Sequence, residues 1–286
     1  MSIILDLRQY PHGGDVDDKV TISYTGDAAQ LQGSFAEQVR GRHLVIATHG
    51  FNVNEKSGLA ALTKWDALSN LQAPYLYIGV VWPGDSRFIP VIDYPVEGAV
   101  ALRSGKLLST FLNKSAAQAA SISFVSHSLG ARTVLETARR LSPDIRLNTL
   151  ILMAGAIEND CLTREYAAVA RRAQAIHVVA SREDMVLKWA FPIGNPPGEI
   201  VMTGHPYFKE ALGREGPAVF PPKVTCERWQ IPDKWDYGHG NYLPGDVVAP
   251  PFPQPPDYPR NPPPFSPDDD DWKPSWSAGI IKGRFP

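Results

Sequence analysis

The sequence predicts an α/β fold, a mostly parallel, doubly wound sheet flanked by helices. Three observations predict it. Short apolar runs alternate with longer stretches of helical composition, as in chains that return each strand to one sheet through a helix. The runs are continuous rather than alternating, which marks strands buried on both faces. One of them, Ile122–Val125, passes through a turn of small residues straight into the helix-forming stretch Ala131–Leu141.

Residues 1–42 read as a β-rich segment packed on the core. Ile3–Leu7 and Val20–Tyr24 are expected as edge strands around a Gly13-Gly14 turn. Regular alternation begins at residue 43. His43–Ala47 is a buried-strand signal ending in Thr48-His49-Gly50-Phe51-Asn52, and residues 58–71 are helical in composition. Tyr75–Trp82 is a second strand, closed by Pro83-Gly84, and residues 96–113 are again helical. After the Ile122–Leu141 unit come a strand at Leu147–Met153, a helix at Thr163–Ala173 and a strand at Ala175–Ala180. Val224–Trp229 reads as the last strand. The α/β core is therefore placed at 43–243, with 188–222 as a long insertion within it.

Residues 244–286 differ in kind. They hold 13 of the 27 prolines and the acidic run Asp268–Asp271, a composition that propagates neither helix nor central strand. Phe252, Tyr258, Phe265, Trp272 and Trp276 are spaced along them like anchors. An extended tail that wraps the domain through these rings is expected, the alternative being a partner-binding tail.

With 43% hydrophobic and 20% charged residues, the 286-residue chain has the balance of a globular protein able to bury a sizeable core. A net charge of -2 lacks the basic excess of a nucleic-acid binder. No apolar run is long enough for a membrane span, and the N-terminus lacks the basic and apolar regions of a signal peptide. A cytoplasmic location is expected. Cys161 and Cys226 match no metal or redox spacing and read as two buried thiols, or else as a pair. No His-x-x-x-His, Cys-x-x-Cys or Gly-x-Gly-x-x-Gly pattern points to a metal or dinucleotide, so no cofactor is expected.

Chemistry concentrates in Ser126-His127-Ser128-Leu129-Gly130. A serine at the tip of a strand–turn–helix junction takes a strained backbone and exposes its hydroxyl, while the helix aims its first amides at the same point. In an open parallel sheet, function gathers beyond the carboxyl ends of the strands. His49–Asn52, Ser128, Asp184 and His239 all fall there. Asp184 lies 56 positions after Ser128, and His239 lies 55 after Asp184. Glu158 or Asp160 competes with Asp184 as the acid, and Asp184 also reads as a helix N-cap. His205 competes with His239.

With His49–Asn52, Trp82–Gly84 and His127–Gly130, the sequence resembles the α/β-hydrolases. It is similar in particular to bacterial lipase/esterase-like hydrolases of unknown function carrying His-Gly-Phe/Tyr-Asn, Trp-Pro-Gly/Ser and His-Ser-Leu/Met-Gly. The resemblance covers about residues 43–243. Ser126 stands where the elbow has its first glycine, and Ala154-Gly155-Ala156 where relatives often carry Ala-Pro-Asp. The resemblance implies Ser128 as nucleophile, His239 as base and Asp184 as its orienting acid. The backbone N–H groups of Phe51 and Leu129 would form the oxyanion hole. His49, Asn52, Trp82, Trp189 and Phe191 are the candidate substrate contacts, although His49 and His127 also read as hydrogen-bonded structural groups. The apolar, aromatic character of the 82–94 and 188–222 stretches suits an ester. The expectation is thus a carboxylesterase or lipase acting on a small-molecule ester of short to medium acyl chain. An amidase, thioesterase or peptidase with the same triad is the first alternative, and a hydrolase-like scaffold with a recruiting tail the second. Neither a nucleic-acid partner nor stable membrane insertion is expected.

Overall fold

The computed structural model describes residues 2–9, 15–25, 33–51, 53–84, 94–194, 210–225, 230–231, 233, 237–243 and 276–285. Within these, eight strands form one sheet in the order β2-β1-β4-β3-β5-β6-β7-β8. They are β1 (Ile3–Arg8), β2 (Val16–Tyr24), β3 (His43–Thr48), β4 (Tyr75–Val81), β5 (Ser121–His127), β6 (Leu147–Met153), β7 (Ala175–Ser181) and β8 (Val224–Thr225). Each neighbouring pair is parallel except β1 with β2. A further pair of residues, β9 (Gln230–Ile231), runs parallel to the end of β7 at Ala180 and Ser181.

The helices are α1 (Phe35–Val39), α2 (Glu55–Ser69), α3 (Tyr94–Ser115), α4 (Gly130–Arg140), α5 (Ala167–Arg172), α6 (Met185–Gly194), α7 (Leu212–Glu215) and α8 (Trp276–Arg284). Local chemistry sets several of their ends. Ser34 and Glu37 form a reciprocal capping box on α1. Asn54 caps α2, and Asn70 closes it in the left-handed conformation. None of these helices is long and apolar enough to cross a membrane.

Three expectations for the sheet and its helices change. Ile3–Leu7 is not an edge strand, because β1 lies between β2 and β4 and β2 takes that edge of the sheet. The reason is written in the residues: Ile3, Ile4, Leu5 and Leu7 are all buried, on both faces of the strand, whereas β2 alternates with exposed positions. The helix expected at Thr163–Ala173 shortens to α5, since Tyr166 N–H reaches back to the Cys161 carbonyl in a turn. The expected strand Val224–Trp229 is two short pieces, β8 and β9, with residues 226–229 outside the described residues.

The register places Thr48 beside Val80 and Ser126, and His127 beside Met153. The carboxyl ends of the central strands therefore finish nearly level, and the loops after them share one rim. On one side α3 packs against α4. Gly105 permits this, because a Cβ there would come within 2.8 Å of the Thr133 carbonyl.

The chain's end is helical, contrary to an extended reading of all of 244–286. No proline falls between Pro274 and Pro286, so α8 can close its hydrogen bonds. It docks against α2: Trp65 Nε1 donates to Ser277 Oγ at 2.7 Å, and Ile280, Ile281 and Phe285 are buried. Phe285 tilts on Tyr75, and Arg284 Nη2 donates to His177 Nδ1 at 3.3 Å. The rest of the tail, with its candidate anchors Phe252 to Trp272, lies outside the described residues. Cys161 is a buried free thiol whose pKa burial pushes well up, and Cys226 lies outside the described residues.

Burying three large side chains is worth several kcal/mol, so deleting residues 276–286 should lower the melting temperature by roughly 10 °C. An unchanged melt would contradict the docked helix. His177 adds a pH signature. Burial first, and the Arg284 charge second, push its pKa down from 6.5 to about 3. The unfolded chain takes up this proton near 6.5, so the stabilisation is whole above that pH and is lost as pH falls toward 3. The slope is at most about 1.4 kcal/mol per pH unit. His177→Gln keeps an acceptor for Arg284 without the titration and should flatten the acid limb of stability against pH. Equal limbs would contradict this account.

Candidate active site

Ser128 follows the last residue of β5 with φ +54°, in the left-handed region that a residue with a Cβ enters only under constraint. Hydrogen bonds hold it there. Its N–H donates to the Met153 carbonyl at 2.9 Å, and its own carbonyl accepts from Ala131 at 3.0 Å and Ala156 at 3.1 Å. The turn is thereby tied to the end of β6 and to the loop beyond. Close approach explains the glycines. A Cβ at Gly130 would come within 2.4 Å of the His49 carbonyl, and one at Gly50 within 2.7 Å of the Ser128 Cβ. Ser126, in place of the elbow's first glycine, is fully buried, and its Oγ has no hydrogen-bond partner among the described residues.

Two further loops bring polar residues to this serine. His239 opens a short 3-10 turn, His239–Tyr242, and its Nε2 lies 2.7 Å from Ser128 Oγ. Its Nδ1 lies 2.6 Å from Asp184 Oδ2. Asp184 follows β7 and is wholly buried. Its other oxygen accepts from Leu187 N–H at 2.9 Å, in the first turn of α6. The cap and the histidine contact are therefore one carboxylate's two oxygens, so the two sequence readings of Asp184 coexist. With Nδ1–H given to the carboxylate, Nε2 carries the lone pair and accepts from the Ser128 hydroxyl. This is an arrangement able to draw the proton off an attacking hydroxyl.

The competing acids are occupied. Glu158 pairs with Arg132 at 3.1 Å, and Asp160 with Arg164 at 3.2 Å. His205 and Asn52 lie outside the described residues, as does the side chain of Trp189. Leu129 heads α4, while Phe51 follows Gly50 on the loop packed against Ser128. The amides expected to receive an oxyanion thus belong to adjacent segments.

Three of the proposed substrate contacts are placed in the interior. His49 and Trp82 are fully buried and stacked on each other at 5.7 Å. Trp82 Nε1 donates to the His49 carbonyl, and Trp82 N–H to His49 Nε2. Their polar atoms join the ends of β3 and β4. Phe191 is also buried, within the apolar core.

Sequence reading missed two supports of the rim. Gly213 of α7 lies so close to Ala154 and Gly155 that a Cβ would fall 2.0 Å from the Ala154 carbonyl carbon, and its N–H donates to Gly155. Arg132 ties α4 to the same loop through the Ala156 carbonyl and Glu158. Neither contact has a local sequence signal, since each joins distant segments. Among the described residues no cluster of three or more His, Cys, Asp or Glu side chains could hold a metal ion.

The family described as alpha/beta hydrolase of unknown function (DUF900) matches residues 27–219, a span that includes Ser128 and Asp184 and ends before His239. A search of curated proteins finds no significant match. Among solved structures, the chain is similar to the Pyrococcus furiosus esterase Pf2001 at 12% identity and TM-score 0.34, over 70% of this chain and 75% of that one. Esterase PE8 matches at 14% identity and TM-score 0.35, over 70% and 86%. Acetyl xylan esterase 1 from Thermoanaerobacterium sp. JW/SL YS485 matches at 13% and 0.36, over 70% of each chain. The family match spans well over half of the sequence and agrees with the parallel sheet and its serine turn: this chain belongs to the alpha/beta hydrolases.

Proposed function

We propose that the protein is a serine esterase that cleaves small carboxylic esters of short to medium acyl chain through an acyl-enzyme on Ser128. The observation that carries this reading is the unbroken series from Asp184 through His239 to Ser128, with contacts of 2.6 and 2.7 Å. As Ser128 Oγ attacks the ester carbonyl, its proton passes to His239 Nε2, and Asp184 stabilises the imidazolium. The amides of Leu129 and Phe51 hold the oxyanion. Collapse of the tetrahedral intermediate breaks the ester C–O bond, and the proton on His239 goes to the departing alcohol. Water then gives a proton to His239 and attacks the acyl carbonyl; collapse breaks the bond between the acyl carbon and Ser128 Oγ, releasing the acid, and His239 returns its proton to Oγ. Met185 and Val186, exposed and next in the chain to Asp184, suit an apolar substrate group near the rim.

Ser128→Ala and His239→Ala should each lower kcat on p-nitrophenyl esters by roughly a millionfold, and Asp184→Asn by about ten-thousandfold, at unchanged melting temperature. Wild type should react with a fluorophosphonate, and Ser128→Ala should not. Labelling that survives Ser128→Ala would remove the nucleophile from this account. A C2 to C16 acyl series should peak at the short to medium end. Faster cleavage of a matched anilide or thioester would move the activity to an amidase or thioesterase.

A further inference from the structure

His127 touches the two sides of the site at once. It is buried, directly before the serine, and its Nε2 lies 2.8 Å from the backbone carbonyl of His239. That carbonyl can only accept, so His127 carries its proton on Nε2 and its lone pair on Nδ1. Its ring is tilted on His239 at 4.8 Å and on Tyr242 at 5.9 Å. On the opposite side, a Cβ on Gly50 would come within 2.8 Å of His127 Nδ1, an atom with no hydrogen-bond partner among the described residues. Burial chiefly, then the neighbouring His239 ring, holds its pKa well below the usual histidine value, so the ring stays neutral and keeps one tautomer.

We infer that His127 is a positioning residue for His239, its Nε2–H gripping the His239 carbonyl so that the imidazole stays within reach of Ser128 Oγ. The His239 turn is short, and His239 itself is 15% exposed in its side chain. A base on such a turn needs a backbone tether independent of its own catalytic contacts. The residue before the nucleophile supplies it. Nucleophile and base are thereby referenced to the same end of β5, and a shift of one carries the other. This rests on the assignment of Ser128 and His239 above, but it concerns a different hydrogen bond.

The comparison of His127→Phe with His127→Gln tests it, because phenylalanine keeps a ring without the donor and glutamine keeps a donor without the ring. His127→Phe should lose roughly ten- to hundredfold in kcat with KM nearly unchanged, the range expected when a reacting group is displaced by about 1 Å. His127→Gln should recover most of that loss. A His127→Phe of wild-type kcat, or a His127→Gln as poor as His127→Phe at equal melting temperature, would overturn the proposal. A second measurement needs neither variants nor turnover. Long-range 1H–15N spectra of the wild type should show His127 protonated on Nε2 only, and protonation on Nδ1 would overturn the inference. Failure of the esterase reading appears separately, as absence of fluorophosphonate labelling in the wild type.

Discussion

Ser128 is held at φ +54° by a carbonyl and two amides from three different segments, and most of what is distinctive in this chain follows from keeping it there. A left-handed non-glycine residue costs of order 1–3 kcal/mol and persists only where its surroundings over-determine it. The surroundings do so by crowding. Gly130 lets α4 begin against the His49 carbonyl, and Gly50 lets the neighbouring loop close over the serine Cβ. Met153 and Ala156 fix the turn to β6, and Gly213 and Arg132 brace the loop that carries Ala156. The strain is thus carried by contacts to the sheet's rim as well as by the turn's own bond from Ala131.

Parallel register converts that local constraint into a site. Because β3, β4, β5 and β6 end nearly level, the loops after them and after β7 open onto one edge. Asp184 and His239 arrive from elements far apart in sequence. Each is set by backbone hydrogen bonds as well as by its side chain: Asp184 by its N–H on the Ser181 carbonyl and its own carbonyl accepting from Lys188, His239 by its carbonyl on His127. His49 and Trp82 do comparable work one layer down, clamping the ends of β3 and β4 together.

What was legible in the sequence was what is local or periodic. The strand–turn–helix around Ser128 is contiguous, and the alternation of buried runs with helices fixes the sheet. From these, Asp184 and His239 fall on loops beyond the strands, but chain order leaves Glu158 and Asp160 as rival acids, and only the side-chain contacts set Asp184 apart from them. What was not legible depends on partners far along the chain. The unbroken apolar run Ile3–Leu7 carried the mark of an inner strand, yet its place between β2 and β4 requires knowing that β4 offers an open side. The helix at Trp276–Arg284 was hidden by the prolines around it, and its dock on Trp65 is 212 residues away. Trp82 and Phe191 read as substrate contacts because aromatic residues near a rim resemble a pocket lining, whereas for His49 the alternative reading as a hydrogen-bonded structural group is the one the structure shows. Burial, which no motif encodes, turns them inward.

The central claim is that Ser128 bears the acyl group during turnover. Acid-quenching the wild type while it hydrolyses a slow ester, then digesting with trypsin, isolates residues 115–132 as one peptide containing Ser128. The account predicts that this peptide gains the mass of the acyl group and that fragmentation places the gain on Ser128. Steady turnover with this peptide unmodified, or with the acyl group on another residue, would contradict it.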